Sequence, residues 1–345
     1  MPLNNPLPPE LPLCRRPRLG QRLTPEREAH DDVRNQRRHD PKPEYARLHL
    51  GTAPDSSGIW FPDDPQQPHW SAFLNEVVEA GFRTIELGPF GYLPTDPEQL
   101  KDGLGKRGLS LTAGTVAAAT HRGTAAFESS RRDAFEVCEL LAAMDVHHLM
   151  VLPEMFTDLR TGEINQPAEL TADQRRDLVS GQNRLGRMVK EKFDIQLGFH
   201  PHVDTHVETQ QFIDTFLEDT DPDAVAVCLD TGHVEYCAGD NREIVGRHPD
   251  RISYIHHKQV NPAVAAKARA DRVGFYEAVQ RGAMVELPLG APDMTPLLDD
   301  LAALNRDLRL IIEQDMYPAK PGNAKAIATR TRQYFTSVGL LPAEK

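Results

Sequence analysis

From Ala46 onwards the chain alternates between two periodicities. Short runs rich in Val, Ile and Leu predict buried strands at 47–51, 84–88, 110–115, 148–152, 195–200, 225–230, 252–256 and 309–313. Between them, apolar positions three and four apart predict helices at 70–80, 97–107, 129–144, 172–192, 209–217, 241–248 and 294–304. Gly81, Gly108 and Asp145 stand where three of these helices must turn, and Thr171 and Thr209 stand where two must start. Strand–helix units repeated in this way predict an α/β protein of the (β/α)8 TIM-barrel class, rather than an open doubly wound sheet. The length of 345 residues suits one such barrel, which needs about 250.

Two stretches break the rhythm. Residues 1–44 are rich in proline and arginine and contain no aromatic residue. Such a segment cannot bury enough apolar surface to offset its chain entropy. It is expected to be a disordered or loosely draped arm outside a barrel at 45–340; the alternative is an arm that wraps a neighbouring subunit. Residues 260–295 follow the seventh strand as an insertion. On a barrel, such an insertion sits on the active face, where it is either a lid or an inert excursion.

Composition narrows the function. The net charge of −12 disfavours coating nucleic acid, which wants a basic surface. Four cysteines without a CxxC motif suit a reducing, cytoplasmic setting. No apolar run is long enough for a membrane span, and the N-terminus carries no secretory apolar core. No glycine-rich phosphate loop follows a strand, which weakens a nucleotide-binding reading. A homo-oligomer, or a subunit of a larger complex, remains open.

The chemistry concentrates where strands end, which is where parallel sheets bind ligands. The sixth strand ends in Asp230 and is followed by His233, the seventh ends in His256 with Lys258 two residues on, and the eighth ends in Glu313. Carboxylates and an imidazole aimed at one mouth are a donor set for a divalent cation. The fifth strand adds His200 and His202, which share a face; either completes the metal set, leaving the other for substrate. Asp204 and His206 continue into the loop as outer candidates. Glu154, after the fourth strand, is a general-base candidate, whereas Glu86, followed by Leu87 and Gly88, is expected to face a helix. Lys258 shares the face of His256 and is placed to serve an oxyanion. His257 should point outwards to the helices.

The segments TAPDSSGIWFP (52–62), IELGPFGYLP (85–94), FHPHVDTHVET (199–209), LDTGH (229–233), IHHK (255–258) and IIEQD (311–315) together resemble the xylose-isomerase-like TIM-barrel superfamily, and within it inosose-dehydratase-like proteins. The resemblance runs from Ala46 to about Gly339. It implies a divalent metal, manganese first with magnesium, cobalt or zinc as alternatives, held by Asp230, His256 and Glu313. Relatives with a strand-five glutamate have no counterpart here, where FHPH stands instead. His200 is therefore taken as the fourth ligand, with His202 and Glu154 as rivals. Glu154, His202 and Lys258 are then the catalytic candidates, and His233 and His206 the substrate contacts. The implied activity is that of a sugar isomerase or epimerase. It removes the proton α to the carbonyl of a keto sugar or keto cyclitol through a metal-stabilised enediolate. A dehydratase or lyase, eliminating a β-substituent, shares that first step. A type-2 apurinic endonuclease or a non-catalytic barrel subunit are the readings from other classes.

Overall fold

The computed structural model describes residues 40–320 and 322–342. Most of the expected arm therefore lies outside the described residues. Its described end is pinned: Lys42 N donates to Gly339 O at 2.8 Å, and the buried Tyr45 hydroxyl donates to Asp299 at 2.6 Å.

A parallel sheet curls into the barrel. Its strands are β1 (Leu48–Thr52), β2 (Thr84–Ile85), β3 (Ser110–Leu111), β4 (Gly114–Ala118), β5 (His148–Pro153), β6 (Gln196–Phe199), β7 (Val225–Asp230) and β8 (Ile252–His257). After β9 (Gln259–Val260) and β10 (Met284–Val285), which form a separate antiparallel pair, β11 (Leu308–Ile312) closes between β8 and β1. The predicted third strand is one stave in two segments. β3 pairs with β2 and β4 pairs with β5, while Thr112 N to Ile85 O and Leu87 N to Ala113 O, both 3.0 Å, carry the ladder across the break. The strand-to-strand ring is thereby complete, as the alternation of the sequence predicts.

The helices are α1 (Trp70–Glu79), α2 (Pro97–Gly105), α3 (Thr124–Ala143), α4 (Ala172–Phe193), α5 (Gln210–Asp219), α6 (Thr231–Tyr236), α7 (Asn241–Arg247), α8 (Pro262–Asp271), α9 (Phe275–Gln280), α10 (Met294–Ala303) and α11 (Asn323–Ser337). Local signals start several of them. Thr171 and Gln174 close a capping box on α4, and Asp96 caps α2 just before Pro97. None of the helices is long and apolar enough to cross a membrane. α4 packs so closely on the turn before β7 that a Cβ at Gly186 would lie 2.1 Å from Ala224 O.

Apolar burial is layered. The main core lies between sheet and helices. A small plug of Ala53, Ala113, Met150, Cys228, Tyr254 and Ile311 fills the barrel interior. A third cluster, including Trp60, Val203, Tyr236, Phe275 and Tyr317, joins the insertion to the loops at the carboxyl ends of the strands. The 260–295 stretch is thus built into α8, α9 and the short antiparallel pair of β9 and β10 that brackets them.

Candidate active site

The register of the staves assembles the site. Asp230 on β7 pairs with His256 on β8, and Ile311 on β11 lies opposite His256 on the other side. Strand alternation then sends Tyr254, His256 and Lys258 to one face. His257 goes to the other, stacked on Phe335 of α11 at 5.7 Å. The LDTGH turn explains itself residue by residue. Asp230 Oδ1 caps α6 by accepting from Gly232 N and His233 N, each at 2.9 Å. Its Oδ2 is left to face His200 Nε2 at 3.4 Å and Lys258 Nζ at 3.1 Å. The Thr231 hydroxyl ties the turn to Lys258, donating to its C=O at 2.7 Å and accepting from its N–H at 2.9 Å. Gly232 is required because a Cβ there would sit 2.4 Å from Lys258 Cβ.

His256 is held from behind. Its Nε2–H donates to Glu86 Oε1 at 2.8 Å. Its Nδ1 makes no hydrogen bond and faces Glu313 Oε2 at 3.1 Å and Asp230 Oδ2 at 3.8 Å. A ring nitrogen whose partner nitrogen is fixed by a carboxylate, while it is itself turned towards carboxylate oxygens, is arranged as a metal ligand. The expectation that Glu86 faces a helix is corrected: it is 1% exposed and inside the barrel. The donor atoms of His200, Asp230 and His256 lie within 4.8 Å of one another, as do those of Glu86, His256 and Glu313. These residues could hold a metal ion.

Lys258 occupies the centre of the charge distribution. Its ammonium lies 3.1 Å from Asp230, 2.9 Å from Glu313, 2.9 Å from Asp315 and 3.1 Å from His233 Nε2. Burial opposes the charge, but these carboxylates outweigh it and raise the lysine well above its ordinary pKa. Burial likewise works against Asp230, yet Lys258 and His200 hold it down at about 2. Burial lifts Asp315 to about 6, although Lys258 pulls the other way. Burial, with Glu313 and Asp315, raises Asp55 well above the usual carboxylate range. Burial opposes charge on His256 as well, yet Cys228, Glu313 and Glu86 raise it well above its ordinary pKa. A divalent cation among Asp230, Glu313 and His256 would take the place of that proton against the same carboxylates.

His202 and His233 lie against each other beside this cluster, their ring centres 3.7 Å apart and their planes inclined at 47°. Burial, with His200 and Lys258, pushes His202 down to about 3, so it is neutral. Its Nδ1–H donates to Val203 O at 2.7 Å, which leaves the lone pair on Nε2. His233 accepts from Lys258 at Nε2, so its Nδ1 carries the proton; that atom is buried and lacks a partner. Phe275 of the insertion packs against both rings at 4.9 and 5.3 Å. Its backbone N donates to Asp204 Oδ2 at 2.6 Å, which anchors the insertion over the site.

His200, His202, His256, Lys258 and Glu313 line one cavity of about 530 Å³. Asp230 and His233 stand behind that lining, each against Lys258, whereas two others singled out from the sequence reach neither the lining nor this cluster. Glu154 lies past the end of β5, where the neighbouring Arg122 takes its carboxylate at 2.7 Å. His206 packs against His121 with ring centres 4.7 Å apart, and its Nε2 lies 3.1 Å from Pro167 O, away from that cavity. Conversely, Asp55, Trp60, Phe275 and Asp315 line it without having been singled out as site residues. For Asp315 the signal was available, since it stands two residues after Glu313 in IIEQD.

A family model described as a xylose isomerase-like TIM barrel matches residues 74–335, and the chain belongs to that family. Inosose dehydratase of Geobacillus thermodenitrificans is 28% identical over 298 residues, spanning 84% of this chain and 96% of that one. Among solved structures, the IOLI protein with a binding zinc atom superposes with a TM-score of 0.65 at 14% identity, over 84% of this chain and 98% of the other. The probable 3-DHS dehydratase AsbF from Bacillus anthracis gives a TM-score of 0.62 at 15% identity, over 84% and 98%. The last two speak for the fold alone. With a dehydratase matching along most of its length, the chain is an enzyme of the dehydratase or isomerase type.

Proposed function

We propose that the protein is a divalent-metal-dependent dehydratase of a keto cyclitol or keto sugar. The single observation that carries this is His256. Its Nε2 is fixed by Glu86, and its unpartnered Nδ1 is turned to Asp230 and Glu313. His200, Asp230, His256 and Glu313 would hold the metal, manganese first, with magnesium, cobalt or zinc as alternatives. When bound, the metal supplies Lewis-acid polarisation of a carbonyl oxygen. The match to inosose dehydratase supports the dehydratase over the isomerase outcome.

The rest follows from the chain's own groups. His233 Nε2 accepts from Lys258 and so holds the ammonium beside the cavity, and the neutral His202 offers Nε2 as the base. A base that weak needs positive charge at the carbonyl to acidify the neighbouring C–H; the Lys258 ammonium adds to the polarisation a bound metal would supply there, so its loss weakens proton removal without abolishing it. Removing the α-proton leaves an electron pair that forms an enediolate. Its collapse expels the β-hydroxyl, which takes up a proton and departs as water. Glu86 is a positioning residue that acts through His256.

The test is incubation of the full chain with Mn²⁺ and a keto-inositol in deuterated water, followed by NMR. Deuterium should enter at the carbon α to the carbonyl, and a product lacking one water should accumulate. Neither exchange nor water loss on any keto cyclitol or keto sugar would overturn the reading. Exchange with an isomeric product in place of dehydration would move the protein to the isomerase or epimerase reading, which shares the first step. The net charge of −12 continues to weigh against nucleic acid as a substrate.

A further inference from the structure

The cavity is more divided than a single polyol ring requires. Its reacting end carries the histidines, Lys258 and the carboxylates described above. Away from that end, the lining changes to Trp60, Phe61, Phe90, Leu152, Met155 and Leu159. All of these except Trp60 are only half-buried, so each keeps some apolar surface uncovered. A free keto cyclitol bears hydroxyls around its ring. Any hydroxyl set against this wall would give up water without receiving a hydrogen bond. A volume of about 530 Å³ is in the range that holds drug-sized ligands, roughly 300–1,000 Å³. A ring at the polar end therefore leaves the apolar arm to be filled.

The arm is preorganised. Trp60 is stacked between Tyr317 at 5.3 Å and Phe275 at 6.2 Å. Phe61 is held under Arg160, whose guanidinium lies 3.6 Å from the ring centre and also binds Asp64. The Trp60 indole Nε1–H is buried and has no acceptor, although the residue is 92% buried, being 8% exposed. Charge restricts the occupant further. Among the described residues that line the cavity there is no arginine, its lysine is already held by carboxylates, and Asp133 and Glu136 add negative charge. A phosphate ester finds no unpaired counter-charge among these lining residues.

We propose that the natural substrate is an uncharged keto sugar whose ring carries an apolar, aromatic-sized substituent. The ring lies at the metal-donor end, and the substituent lies on the wall of Phe61, Phe90, Leu152, Met155 and Leu159. The placement of the ring rests on the functional reading above; the substituent is carried by the cavity itself.

Calorimetric titration of the full chain in Mn²⁺ with phenyl β-D-glucoside and methyl β-D-glucoside tests this with probes that do not react. The phenyl compound should bind roughly 10- to 100-fold tighter, the factor expected for burying an apolar group of that size. Leu159→Asp and Met155→Asp should each bring the two affinities together. Equal affinities in the wild type would overturn the proposal, as would a phenyl preference that survives both variants. Deuterium exchange on free keto-inositol separates the two readings. Exchange with equal glycoside affinities defeats this inference and leaves the proposed chemistry standing. A phenyl preference with no exchange on any keto ring does the reverse.

Discussion

Replacing Glu86 probes the metal centre without touching a ligand. Glu86 is 1% exposed and accepts the His256 Nε2–H at 2.8 Å. A hydrogen bond to a charged group is worth about 1.5–3 kcal/mol, against about 1 kcal/mol for a neutral one. Glu86→Ala forfeits the larger sum and frees the imidazole to rotate or change tautomer. At about 1.4 kcal/mol per tenfold, that corresponds to roughly a 10- to 100-fold loss of metal affinity. The same range, about 10- to 100-fold, is typical when the outer partner of a metal-bound histidine is removed. Glu86→Gln keeps a neutral acceptor for the same N–H and should lose less, roughly 10-fold by the difference between the two kinds of bond. The assay is direct titration with Mn²⁺ and Zn²⁺ by calorimetry, with circular dichroism to confirm that each variant is folded. Glu98→Gln, an exposed change on α2, is the control. If both Glu86 variants bind metal indistinguishably from that control, Glu86 does not orient His256 and the reasoning fails.

Two further outcomes are expected. Lys258→Met should lower turnover roughly 100-fold or more, the cost of a lost oxyanion donor, while deuterium exchange at the α-carbon partly persists because His202 remains; unchanged turnover would remove Lys258 from the chemistry. Glu208, beside Asp204 under the insertion, is raised from 4.5 to about 7, mainly by burial. Because its folded pKa is the higher one, its contribution to stability is fully present below pH 4.5 and is lost as pH rises through about 7. Relative to Glu208→Gln, the wild type should therefore lose up to about 3 kcal/mol across that window, at about 1.36 kcal/mol per unit; parallel thermal-denaturation curves for the two proteins from acid to mildly alkaline pH would refute the assignment.

Much of this protein is legible in one dimension because its strands are buried on both faces. VAVCLD and ISYIHH are continuous enough to announce parallel staves, and the polar residues that end them are conspicuous for interrupting apolar runs. Period-two alternation separates His256 and Lys258 from His257, and the structure sends them to opposite faces. Capping chemistry is equally local, so Thr171 with Gln174 marks the start of α4 before any contact is known.

What the sequence determined by itself is the order of strands and helices, and the ends at which reactive side chains gather. These depend on neighbours one to four residues apart. Tertiary structure decided which carboxylates serve the site. Glu86 and Glu154 both follow apolar strands, yet one enters the barrel to grip His256, while the other is taken by Arg122 from a neighbouring loop. It also decided that the third stave breaks at Thr112–Ala113, and that Phe275, some forty residues beyond the LDTGH turn, covers His202 and His233. The reason is physical. The energy of a buried charge is set by whichever opposite charge or hydrogen-bond donor the folded chain brings within a few ångströms, and that distance has no counterpart in sequence spacing.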